Sequence, residues 1–152
     1  MLGLGLGVGV GVGLLDGVLE HDRLVHELTG ADEAVISHFA YFHDCMRENE
    51  QIDPGHGLRG AEFAEAHRDS IRLDELQFHQ LFEACKHHTD GKPTTCETIS
   101  SCWDADRLDL GRVGTTPKSS YLGSSLARDP NFIEMAVMRS KKRFVSEDFV
   151  EN

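Results

Sequence analysis

Apolar residues recur at steps of three and four along most of this chain, the period of an amphipathic helix. Leu14, Leu15, Val18, Leu19, Val25 and Leu28 make the first such stripe, and Gly30 follows it as a stop. Asp32 is placed to cap a second helix running on to Arg47, with Ile36, Phe39 and Ala40 on one side. A loop with Pro54-Gly55 at its turn leads to a third, Ala-rich helix from about Leu58 to His67. Asp74 caps a fourth, which carries Phe78, Leu81, Phe82 and Cys85 and is broken by "TDGKPTT". A fifth runs from about Glu97 to Leu110. After a Gly/Pro/Ser loop, a last helix around Asn131 to Met138 ends in the basic cluster "RSKKR". No convincing run of period-two strands is present, and no repeat of 20–50 residues is visible. The pattern predicts an all-α helical bundle, one domain over 18–140, followed by a polar tail over 141–152. Residues 1–17 alternate Gly with Leu or Val; they read as a low-complexity, poorly ordered end, with no basic stretch of a signal peptide and too much Gly for a membrane span.

The same helical period sorts polar residues into inward and outward sets, at about 100° per residue. On the fifth helix Asp106 falls among Ile99, Cys102, Trp103 and Leu110. Asp104 lies about 160° away, facing solvent or serving as a support, and Asp109 sits toward the edge of the apolar stripe. On the second helix His43 shares the stripe of Ile36, Phe39, Ala40 and Met46, with Asp44 beside it. On the fourth, His88 faces inward with Leu81, Ala84 and Cys85, while His87 faces out. His56, after the Pro-Gly turn, is placed to join them. An unpaired inward carboxylate is costly and calls for a cation or strong donors. Convergent imidazoles and carboxylates suit a divalent ion such as Mn, Fe, Zn or Mg.

Composition narrows the partners. Twenty-six acids against fifteen bases give a formal charge of −11, which opposes binding to nucleic acid or to an anionic membrane. It leaves room for a small anionic substrate, because a bound cation inverts the local field. Nine His strengthen the metal reading. The four Cys show no C-x-x-C spacing; Cys45, Cys85 and Cys102 fall in patterned segments and read as buried thiols of a reducing, cytoplasmic protein.

The strings "FHDCMRENE", "DPGHGLRGAEFA", "HTDG" and "CWDADRLDLGRVG" resemble, in this order, the HD-domain metal-dependent phosphohydrolase superfamily, over roughly Val18 to Ala127. The resemblance implies a His-Asp ligand pair at His43 and Asp44, a distal ligand at Asp106, and further His ligands at His56 and His88. Asp104 is the fallback for the distal ligand. The resemblance implies hydrolysis of a phosphomonoester or phosphodiester, of a nucleotide or another small phosphorylated compound. Asp44 is then a ligand and a candidate proton acceptor, and Arg47 a phosphate clamp with Arg107 as a second candidate. One feature departs from the family: the position of its first His falls on Leu14. This favours an altered N-terminal segment. It also raises an alternative, a non-catalytic HD-like domain that binds metal, nucleotide or a protein partner.

Overall fold

The computed structural model describes residues 30–148. The predicted first helix, with Leu14, lies outside the described residues. So does the low-complexity stretch. Five helices follow: α1 Glu33–Phe42, α2 His56–Ala66, α3 Glu75–His87, α4 Glu97–Leu108 and α5 Pro130–Asp148. Short 3-10 turns lie at Arg68–Ser70, Asp109–Val113 and Ser119–Tyr121. Among the described residues there is no strand, and no helix is long and apolar enough to cross a membrane. The fold is an all-α bundle, as the hydrophobic period requires.

Local chemistry fixes the helix starts. Asp32 accepts from the amides of Ala34 and Val35, at 3.0 and 3.2 Å. Asp74 and Gln77 form a reciprocal capping box at the start of α3. Gly30, at φ +73°, takes the left-handed conformation expected of a helix stop.

Helices α1 to α4 close around one core, in which Val35, Ile36, Phe39, Phe78, Leu81, Ala84, Cys85, Cys102 and Trp103 are buried. α2 contributes small residues to it, Ala61 and Ala64, and lies closely against α3. A second cluster, with Leu108, Leu122, Ile133 and Val137, joins α5 to the 3-10 turn that ends α4.

Several boundaries differ from expectation. The second predicted helix ends at Phe42 instead of Arg47, so Met46 leaves the apolar stripe and is exposed. Cys45 is exposed as well, while Cys85 and Cys102 are buried as expected. The third predicted helix starts earlier, at His56. The residues assigned to a polar tail continue α5 as far as Asp148.

Candidate metal centre

Three imidazoles stand at helix boundaries: His43 at the C-cap of α1, His56 as the first residue of α2, and His88 at the C-cap of α3. Each ring is anchored through Nδ1 by a backbone carbonyl. His43 Nδ1 donates to Phe39 O at 2.9 Å, and His88 Nδ1 donates to Cys85 O at 2.7 Å. His56 Nδ1 donates to Asp53 O at 2.5 Å. A carbonyl only accepts, so Nδ1 carries the proton in all three rings. In the neutral ring, Nε2 then presents a lone pair. This is the arrangement by which proteins orient metal-binding histidines.

The three Nε2 atoms converge on carboxylate oxygens. His56 Nε2 lies 3.1 Å and His88 Nε2 3.3 Å from Asp44 Oδ1, and the two nitrogens are 2.9 Å apart. On the other side of the same carboxylate, His43 Nε2 lies 3.7 Å from Asp44 Oδ2 and 3.5 Å from Asp106 Oδ1. Asp44 thus joins two half-sites, a tight one with His56 and His88 and a looser one with His43 and Asp106. Phe39 stacks on His43 with ring centroids 4.7 Å apart and forms an apolar wall. The imidazoles are buried, whereas Asp44 and Asp106 are about one-fifth exposed and form the mouth.

Two observations test whether these residues fit a cation. Among the described residues, His43 Nε2 and Asp44 Oδ1 are buried side-chain atoms without a hydrogen bond. Such atoms cost about 1–3 kcal/mol each if nothing satisfies them. The tight half also has suitable spacing. A tetrahedral ion with bonds near 2.0–2.1 Å holds its ligands about 3.3 Å apart. Asp44, His56 and His88 are grouped at that scale, so the residues fit a divalent ion. The C-terminal ends of α1 and α3 bring partial negative charge toward the site, and the N-terminal end of α2 at His56 opposes them in part.

The electrostatics agree. Burial alone lowers the His43 pKa, but the nearby Asp106 carboxylate, with the charge of Asp44, pushes it up to about 9. Burial alone raises Asp44; the nearby His88 ring and the charges of His43 and Arg47 outweigh it and hold the carboxyl well below its ordinary range. Asp106 is lowered against the same burial penalty, chiefly by His43. Without a metal, the proton on His43 offsets part of the charge of the two carboxylates.

The five predicted ligands, His43, Asp44, His56, His88 and Asp106, therefore meet at one site. Arg47 stands at its edge, 3.7 Å from Asp44 Oδ2 and one-third exposed. His87 faces outward beside Glu83, as expected. Two expectations need correction. Asp104 is buried, not solvent-facing: its carboxylate accepts from the amides of Gly123 at 2.6 Å and Ser124 at 3.0 Å, anchoring the loop before α5. Arg107 is no phosphate clamp. It is buried and donates to Gly91 O at 2.6 Å and Tyr121 O at 2.5 Å, with a longer contact to His88 O. Asp109 is buried too and pairs with Arg112 at 3.0 Å.

Asp53 and Arg59 also belong to this region, and the helical period gives no sign of them. Arg59 Nη2 donates to both Asp53 oxygens, at 2.8 and 2.7 Å, across the loop that links α1 and α2. Their signal in the sequence is an acid and a base flanking the Pro-Gly turn, six residues apart. Comparisons with protein-family models, with curated proteins and with solved structures gave no match for this chain.

Proposed function

We propose that this chain is a metal-dependent phosphohydrolase of the HD-domain kind, acting on a small phosphorylated compound. The observation that carries the reading is the convergence of three Nδ1-anchored imidazoles and two carboxylates, with His43 Nε2 and Asp44 Oδ1 left without hydrogen bonds. Asp44, His56 and His88 are the tighter set of ligands, and His43 with Asp106 would hold a second ion. A divalent ion bound there supplies Lewis acidity, lowering the pKa of a water and offsetting charge on phosphoryl oxygens. Arg47 adds a fixed positive charge at the mouth, where a phosphoryl oxygen would enter. A carboxylate held well below its ordinary range attracts cations and accepts protons poorly, which favours Asp44 as a ligand over Asp44 as a base.

Metal analysis of the purified protein, followed by phosphate release from nucleotides and simple phosphoesters with added Mn, Co, Zn or Mg, tests the reading. Bound metal and turnover are the expected result, with Asp44→Asn reducing both to background. Leu14, at the position of the family's first His, favours a second reading, a metal-binding module without catalysis. Bound metal without phosphate release under any ion would establish that reading instead.

A further inference from the structure

The loop between Asp44 and His56 joins two ligands of the tight half-site, so its shape sets their separation. One side chain closes it at both ends. Arg59, on the first turn of α2, reaches back with Nε and Nη2 to Met46 O, at 3.2 and 3.1 Å. The same Nη2 holds the Asp53 carboxylate at 2.7 Å. That carboxylate also accepts from the amide of Glu48 at 2.7 Å, inside the loop. Asp53 O, in turn, accepts from both His56 Nδ1 and the His56 amide. A continuous set of bonds thus runs from the guanidinium through Asp53 to the imidazole. Asp53 is nearly buried on its side-chain surface, so its charge has Arg59 as its close partner. The planar fork of Arg can satisfy two acceptors in fixed directions, which a point charge cannot.

We propose that Arg59 is a positioning residue of the metal centre: by clamping Met46 O and the Asp53 carboxylate it fixes the loop that orients His56, so that Nε2 points toward Asp44 and His88. The proposal rests on the metal-centre reading for its effect on affinity, but not for its effect on the ring. Removing a partner that orients a metal-binding His lowers metal affinity by roughly tenfold to a hundredfold.

The test compares wild type with Arg59→Ala and Asp53→Asn, using Arg68→Ala as the control for loss of an exposed arginine. Long-range proton–nitrogen NMR of the metal-free proteins reads the His56 tautomer, and zinc titration against a competing chelator reads affinity. The expected result is one Nδ1–H tautomer of His56 in wild type and in Arg68→Ala. Mixed tautomers and zinc binding weaker by about tenfold or more are expected in both clamp variants. An unchanged His56 tautomer in Arg59→Ala, or an equal loss of affinity in Arg68→Ala, overturns the proposal. A wild-type protein that binds no zinc removes the metal reading, and the tautomer comparison, made without metal, still decides the role of Arg59. Should Arg59→Ala fail to fold, Asp53→Asn carries the same comparison with the guanidinium intact.

Discussion

At the scale of single residues, the centre combines good anchoring with poor mutual satisfaction. Every imidazole has its Nδ1 proton placed, yet His56 Nε2 and His88 Nε2 face each other at 2.9 Å. Two neutral rings with lone pairs opposed need a proton or a cation between them and the carboxylate. In the metal-free protein His43 is held protonated, with its pKa raised from 6.5 to about 9. A raised imidazole pKa contributes stability that is complete below pH 6.5 and is lost as pH rises through about 9. Urea denaturation of the chelator-treated protein should therefore show stability falling over this window, and His43→Gln should flatten the fall. Asp44 and Asp106, both lowered, act in the opposite direction: their contribution is present above the ordinary carboxylate range and is lost on acidification. That His43 and Asp106 meet in the interior, with Asp44 next in the chain, was legible from the sequence because the helical period turns both toward the core. Asp104 was misread for a definite reason. A helical period compares faces within one helix, and it cannot register that residues 122–124 return from a distant loop to cover the face opposite Asp106.

At the scale of elements, the site depends on how closely α2 approaches its neighbours. Gly57 and Gly60 lie on one side of α2, three residues apart. A Cβ on Gly57 would stand 2.5 Å from Cys85 O and 3.1 Å from His88 Nδ1. A Cβ on Gly60 would press on Phe42 O, at the end of α1. The two glycines let α2 settle against the C-terminal ends of α1 and α3, where His43 and His88 sit. Gly57→Ala must then push α2 away from α3, costing about 1–3 kcal/mol as other overpacked sites do. Chemical denaturation measures that cost. Zinc affinity should fall with it, because His56 moves with the helix, and an alanine variant with full stability and full affinity would show that the close approach is dispensable. The existence and order of α1 to α5 could be read from the spacing of apolar residues. The end of α1 could not, since "HDCMR" continues the period that the backbone abandons at Phe42. What ends the helix there is a tertiary requirement, the turn that aims Asp44 at His56 and His88.

At the scale of the whole molecule, two buried or half-buried arginines hold the two approaches to the centre. Arg59 closes the loop before His56, and Arg107 gathers the segment after His88 together with the loop at Tyr121. Burial lowers the Arg107 pKa, while Asp106 and Asp104 support its charge, so the guanidinium is tied electrostatically to the helix that carries both carboxylates. Asp44 follows α1, His56 begins α2 and His88 ends α3, so an ion held by these three would cross-link much of the core. Unfolding separates those ligands. An ion that binds the folded chain and not the unfolded one stabilises it by about 2.7 kcal/mol at a free concentration one hundred times Kd. For a chain of this length each kcal/mol raises Tm by roughly 2–4 °C. Calorimetry with zinc at that excess should therefore show an increase of about 5–10 °C that a chelator reverses. His56→Ala and His88→Ala should each remove most of the increase, and Asp106→Ala less, if the tight half-site fills first. An equal loss from Asp106→Ala would place the preferred ion on the His43 side of Asp44.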